Sequence, residues 1–278
     1  MSPVEQWEFK LHMLEATQFR DAEKYSNYLK TFSARLRSDL AWENLQSFLP
    51  TPAPVPRVLD LGGGTGAMSL RLAGKGFQVT LLDSSAEMLG IARKEAEANG
   101  VAAQISFRNA DAGQLHELFQ PESFDLVVCH NVLEYVDDPG PIVRGISYVL
   151  RKDGVFSVLV RNCAGEVLKA AIESSDLGVA SDNLSAQTVV DSLYGLPVRL
   201  FDPSDVVQML AQAGLGLVAG YGVRVFSDYR DSAEPDPETY RQLLELEFTL
   251  GSRPQFAAIA RYIQMIARRS CESQVREK

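Results

Sequence analysis

The most restrictive stretch of this chain is Val58-Leu59-Asp60-Leu61, which runs straight into Gly62-Gly63-Gly64-Thr65-Gly66. The first four residues read as a short, mostly apolar strand. Glycine packed this densely lets the backbone turn sharply and lets a ligand approach with no Cβ in the way. Ala67 to Ala73 follows as a helix, with Met68, Leu70 and Leu72 as its apolar contacts. Strand, glycine turn and helix in that order predict an α/β fold with a ligand site beyond the carboxyl end of the strand. Gly62 to Ala67 also satisfies the GxGxxG/A dinucleotide pattern, so the turn alone does not choose among adenosine-containing ligands.

The rhythm continues downstream. Gln78 to Asp83 reads as a second strand, Ala86 to Asn99 as a helix closed by Gly100, and Ile105 to Phe107 as a third strand. Phe124 to His130 is a nearly continuous apolar run, as suits a strand covered on both faces. Ile142 to Leu150 predicts a helix ended by Arg151-Lys152-Asp153-Gly154, and Val155 to Val160 a fifth strand. Residues 163–200 are polar and irregular. Beyond them, Pro203 to Ala213 predicts a helix capped by Asp202 or Ser204, Gly216 to Phe226 a strand, Pro237 to Leu250 a helix, and Arg261 to Arg268 an antiparallel last strand. Upstream, two helices are expected over 5–49. Trp7, Leu11 and Leu14 mark one, and Phe32, Leu36, Leu40, Leu45 and Phe48 the other; the prolines at 52, 54 and 56 end them. The expected fold is α/β, Rossmann-like and doubly wound, with a mostly parallel sheet, an antiparallel last strand and N-terminal helices. The expected division is a helical lid over 1–50 and a binding domain over 51–278, with a substrate-side insertion at about 163–200.

Composition excludes several classes. Hydrophobic residues at 46% and charged residues at 23% suit a chain with a sizeable core. No apolar run approaches the ~20 residues that span a bilayer, and the acidic, amphipathic start shows no signal peptide, so a cytoplasmic location is expected. Cys129, Cys163 and Cys271 lack metal or redox spacing, and three histidines without an HExxH pattern argue against a metal site. A net charge of −9 counts against binding long duplexes by phosphate neutralisation, but not against reading a small RNA loop.

Asp83 lies 17 residues after Gly66 at a strand end, where an acid can accept both ribose hydroxyl protons. That supports an adenosine ligand, whether NAD or S-adenosylmethionine. After the third strand comes Asn109-Ala110-Asp111-Ala112, and the fourth strand ends in His130-Asn131-Val132-Leu133-Glu134-Tyr135. The ordered set VLDLGGGTG, LLD, NADA, FDLVVCHNVLEYVDDP and VLRKDGVF resembles the class I S-adenosylmethionine-dependent methyltransferases. The resemblance implies that Gly62, Gly63 and Gly64 line the methionine moiety, that Asp83 meets the ribose, and that Asp111, Ala112 and Gly113 meet the adenine. It puts His130 on the sulfonium side; without it, His130 reads as a satisfied strand-end histidine.

The outer segments narrow the resemblance. Ala22-Glu23-Lys24-Tyr25-Ser26, Leu36 to Trp42, Tyr221 to Tyr229, Leu243 to Glu247 and Arg261-Tyr262-Ile263 look like the bacterial tRNA 5-carboxymethoxyuridine methyltransferases. In that family the arginine matching Arg37 reaches the methyl donor, and a guanidinium–carboxylate pair suits the methionine carboxylate. Without the family, Arg37 is one more charge on a helix. Two departures fall on the acceptor side. Residues 182–191 contain no base where the family has a lysine-rich run, and Arg161 stands where the family has an aromatic residue. Tyr135, Arg161, Tyr194, Arg199 and Arg224 are the candidates for the acceptor surface. The expected partner is a methyl acceptor, either tRNA or a small molecule. A carboxylate acceptor is ionised at neutral pH and needs no general base, so catalysis by positioning is expected and no catalytic residue is assigned. An NAD(P)-dependent oxidoreductase and a donor-binding module without turnover are the alternatives.

Overall fold

The computed structural model describes residues 22–51, 55–174, 176–190, 195–230 and 234–269. Trp7, Leu11, Leu14, Tyr194 and Cys271 lie outside them. Among the described residues two helices, α1 (Ala22–Leu29) and α2 (Phe32–Gln46), precede the sheet. The Thr31 hydroxyl caps α2 by accepting the Ala34 N–H, and Leu36, Leu40, Ala41 and Leu45 bury one face of it.

The sheet alternates with helices in chain order: β1 (Arg57–Leu61), α3 (Ala67–Gly74), β2 (Gln78–Asp83), α4 (Ala86–Ala98), β3 (Ile105–Asn109), α5 (Leu115–Leu118), β4 (Phe124–His130), α6 (Pro139–Val149) and β5 (Leu150–Arg161). The second half supplies α7 (Cys163–Glu173), α8 (Leu177–Asn183), a small antiparallel pair β6 (Thr188–Val190) and β7 (Pro197–Arg199), then α9 (Pro203–Gln212), β8 (Leu215–Val223), α10 (Pro237–Gly251), α11 (Pro254–Ala257) and β9 (Tyr262–Arg269). The main sheet has the order β3-β2-β1-β4-β5-β9-β8. The first five strands are mutually parallel, and β9 runs antiparallel to both of its neighbours. This is the doubly wound arrangement with an antiparallel last strand that the sequence predicts.

Alternation along each strand explains the two cores. Leu59 and Leu61 pack with Val127, Phe156, Ile146 and Leu210 on one face of the sheet. Val58 packs with Leu81, Val128, Leu72 and Leu89 on the other, together with Trp42 and Leu45 of α2. No helix among the described residues is long and apolar enough to cross a membrane.

Two expectations change. The segment Arg151 to Gly154 does not separate helix from strand, because β5 already begins at Leu150. Arg151 is held beside β4 by Asp125 at 2.7 Å and by the Glu122 carbonyl at 3.2 Å, and the irregularity is absorbed by a register shift and by Asp153 at φ 62°. The described residues of 163–200 are not a continuous irregular stretch either, since they include α7, α8, β6 and β7. Asn162 caps α7 and Asp176 caps α8, so the polar residues that suggest a loop are helix caps. In the same way Asp202, rather than Ser204, caps α9.

Candidate active site

The turn after β1 is held by β2. Gly62 N–H donates to the Leu82 carbonyl at 2.7 Å, and Gly64 N–H to Asp83 Oδ2 at 2.8 Å. Gly62, Gly64 and Gly66 have φ of 66°, 54° and 85°, the left-handed region that disfavours a Cβ. A Cβ on Gly62 would also run into Val132, and one on Gly63 would lie 2.8 Å from the Asp60 carboxyl carbon. The turn therefore packs tightly beneath and leaves its upper surface as bare backbone.

Asp83, at the end of β2, is buried. Its Oδ1 accepts the Ser85 N–H and its Oδ2 the Gly64 N–H, both at 2.8 Å. Burial pushes its pKa up, against these two hydrogen bonds. Each oxygen keeps a second lone pair, the geometry two adjacent ribose hydroxyls need. Asn109 pairs with Asp83 across β2 and β3, and its side-chain amide donates to the carbonyls of Asp83 and Ser84. Asp111 follows, exposed, and caps a short turn by accepting the Gly113 N–H at 2.7 Å. Ala112 and Gly113 therefore present backbone beside the end of β2.

At the end of β4, His130 is half-buried, with Nε2 2.8 Å from Ser157 Oγ. Burial and then the Arg37 charge bring its pKa down to about 3, so the ring is neutral. Arg37 is buried at 8% exposure and comes from α2. Its Nη1 donates to Tyr28 Oη at 3.3 Å and to Tyr262 Oη at 3.4 Å. The guanidiniums of Arg37, Arg161 and Arg224 lie 5.3, 5.8 and 5.7 Å from the centre of the Tyr262 ring. Glu166 bridges Arg161 at 3.3 Å and Arg261 at 3.0 Å, and Asp228 pairs with Arg224 and, at 3.8 Å, with Arg261. Burial pushes the Tyr262 phenol up, but Arg37, Arg161, Arg224 and Arg261 together outweigh it and bring it to about 8.

A model of a methyltransferase domain matches residues 55–214. The tRNA 5-carboxymethoxyuridine methyltransferase of Escherichia coli (strain K12) is 32% identical over 251 residues, spanning 89% of this chain and 94% of the relative. The chain is an S-adenosylmethionine-dependent methyltransferase. That membership closes the choice left open by the glycine turn and makes S-adenosylmethionine the cofactor, not a nicotinamide. The ubiquinone biosynthesis O-methyltransferase of Actinobacillus pleuropneumoniae serotype 5b (strain L20) is 37% identical over 117 residues, 40% of this chain and 49% of that one. Among solved structures, the Burkholderia thailandensis 1,6-didemethyltoxoflavin-N1-methyltransferase superposes with a TM-score of 0.57 at 16% identity, over 98% of this chain and 92% of the other. A Mesorhizobium loti S-adenosylmethionine-dependent methyltransferase gives 0.57 at 23% identity, over 84% and 100%. Both share the fold.

The residues of this methyltransferase fit its cofactor. A turn with no Cβ on its open surface, a carboxylate with lone pairs to spare and a buried guanidinium stand at one end of the sheet. The structure places Arg37, Gly62, Gly63, Gly64, Asp83, Asp111, Ala112, Gly113 and His130 at that end, on α2 or just beyond the carboxyl ends of β1 to β4. Arg37 is not a surface charge on a helix, because the tyrosines that receive it come from α1 and β9. Of the acceptor-side candidates, Arg161 and Arg224 meet at Tyr262. Arg199 instead donates to the Asp137 carbonyl at 2.5 Å, away from that group. Asp228, Arg261 and Tyr262 join the cluster from segments that carry the family resemblance but do not single them out as site residues, and Tyr28 and Glu166 join it with no signal in the sequence, since their spacing follows no local motif.

Proposed function

We propose that this methyltransferase transfers a methyl group from S-adenosylmethionine to the carboxylate oxygen of 5-carboxymethoxyuridine in tRNA. The observation that carries the reading is the match to the Escherichia coli enzyme of that name over nearly the full length of both chains. The site is consistent with it. Guanidiniums gathered on Tyr262 beside a neutral His130 favour an anionic acceptor over an amine that must first lose a proton. S-adenosylmethionine supplies an electrophilic methyl on a good leaving group. The chain's task is to hold the acceptor oxygen about 3 Å away, in line, with water excluded.

In this reading Gly62, Gly63 and Gly64 take the methionine moiety and Arg37 its carboxylate. Asp83 takes the ribose, Asp111 to Gly113 the adenine, and His130 the sulfonium side. Within the division at residue 50, the described helices of 22–50 act as a lid over the binding domain that follows, with the insertion at about 163–200 on the acceptor side. The enzyme works in the cytoplasm, where tRNA is. A small carboxylic acid as acceptor is the second reading, favoured by the absence of any base in 182–191 and by the net charge of −9.

Labelled methyl transfer to bulk tRNA from a strain lacking the modification, followed by nucleoside analysis, tests both. A labelled ester of carboxymethoxyuridine is expected. An unlabelled tRNA pool, with S-adenosylhomocysteine binding intact, would overturn the tRNA assignment and leave the small-acid reading standing.

A further inference from the structure

Beneath His130 runs a chain of buried polar side chains drawn from three separate parts of the sequence. Asn44 of α2, Ser157 of β5 and Gln264 of β9 are 4%, 0% and 0% exposed. Asn44 Nδ2 donates to Gln264 Oε1 at 3.0 Å. Gln264 Nε2 donates to the Ala41 carbonyl at 3.0 Å and to Ser157 Oγ at 3.1 Å. Ser157 Oγ lies 2.8 Å from His130 Nε2.

The orientation of this chain follows from what each atom can do. A backbone carbonyl only accepts, so the group of Gln264 facing Ala41 is the NH₂, and both of its hydrogens are used. Ser157 Oγ therefore accepts from Gln264, and its own hydrogen needs an acceptor in a site closed to water. Among the described residues the acceptor within reach is His130 Nε2. The alternative, with His130 Nε2 donating to Ser157, would leave the serine hydroxyl hydrogen buried and unpaired. With Nε2 accepting and the ring neutral, the hydrogen of His130 stands on Nδ1. No partner for Nδ1 occurs among the described residues, and the ring is half-buried rather than enclosed.

We infer that Gln264, acting through Ser157, is a positioning residue that holds His130 as its Nδ1–H tautomer, so that His130 offers the active site a hydrogen-bond donor and not a proton acceptor. The consequence for chemistry rests on the reading of His130 as lining the donor pocket. A ring fixed this way cannot take a proton through Nδ1, which suits an acceptor that arrives already ionised. It also joins α2, the helix carrying Arg37, to β4, β5 and β9 through one set of hydrogen bonds, so the cationic and imidazole groups of the site are placed together.

The test is long-range ¹H–¹⁵N spectroscopy of the imidazoles in the full chain, which holds three histidines. The spectrum of His130→Asn assigns the ring. One neutral tautomer protonated on Nδ1 is expected, unchanged between pH 5 and pH 8. Ser157→Ala is expected to release it into a mixture of both tautomers. Gln264→Glu presents an acceptor to Ser157 and is expected to turn the serine hydrogen away and move the ring's hydrogen to Nε2. A wild-type ring protonated on Nε2, or one that titrates between pH 5 and pH 8, would overturn the inference. Addition of S-adenosylhomocysteine separates it from the reading beneath it. Resonances of His130 that stay still on ligand saturation would sink the donor-pocket placement while the tautomer result stood or fell by itself.

Discussion

Asp60 shows how a single residue can serve the site without reaching it. It precedes the glycine turn, is 3% exposed, and its Oδ2 accepts the Ser69 hydroxyl at 2.6 Å. Burial raises its pKa to about 6; the hydrogen bonds from Ser69 oppose this and the charge of Asp83 adds to it. In the unfolded chain the carboxyl titrates near its ordinary value, 3.8. Between those values the folded protein holds a proton that the unfolded chain has released, so stability falls as pH rises from about 4 to about 6. The loss is on the order of 3 kcal/mol and is then constant. Asp60→Asn removes this titration. Urea unfolding at pH 4, 5, 6 and 7 is expected to show the variant gaining on the wild type across that window. Parallel curves for the two proteins would refute the assignment. The sequence marks Asp60 only as the acid in an apolar strand; its titration depends on Ser69 and Asp83, which lie 9 and 23 residues away.

At the scale of elements, Glu247 ties α10 to the end of β8. Fully buried, it accepts the backbone N–H groups of Val225, Phe226 and Ser227 at 2.6, 3.1 and 2.8 Å. Those three donors follow Arg224, a non-glycine residue at φ 63°, so Glu247 stabilises the turn that aims Arg224 at Tyr262. Glu247→Ala would leave three donors without their acceptor, two of them in buried bonds. It is expected to destabilise the protein by about 3–5 kcal/mol in urea titration. Glu247→Gln, which retains a carbonyl oxygen, should cost roughly 1–2 kcal/mol. Equal stability of the alanine variant and the wild type would show that water takes over these bonds. The predicted strand Gly216 to Phe226 overshoots the observed Leu215–Val223 for this same reason. Apolar residues continue past Val223, but their backbone groups bond to a helix side chain instead of a neighbouring strand. The helices α7 and α8 were illegible for a related reason. Their caps, Asn162 and Asp176, are residues that also populate loops, and α7 buries Gly165 and Glu166 instead of an apolar stripe.

For the whole molecule, a ligand that binds only the folded state stabilises it by mass action. S-adenosylhomocysteine at a hundred times its dissociation constant should add about 2.7 kcal/mol. In a domain of this size that corresponds to a rise in melting temperature of roughly 5–10 °C, while NADH should give none. A shift with NADH and none with S-adenosylhomocysteine would contradict the family assignment. The acidic overall charge is unevenly placed, since Arg37, Arg161 and Arg261 are drawn into the interior at the ligand end of the sheet. What the sequence by itself determined is the succession of the main-sheet strands, the glycine turn and the acids and histidine at the strand ends. Those are local properties: periodicity says which face of a strand or helix is buried, and glycine and cap residues say where each one stops. What only the tertiary structure decided is which distant residues meet there. Arg161, Arg224 and Arg261 come together because β5, β9 and β8 lie side by side. Asn44, Ser157 and Gln264 form one chain because α2 packs across two of those strands. Such contacts depend on how buried polar groups find partners across the sheet, and no short-range pattern in a sequence encodes them.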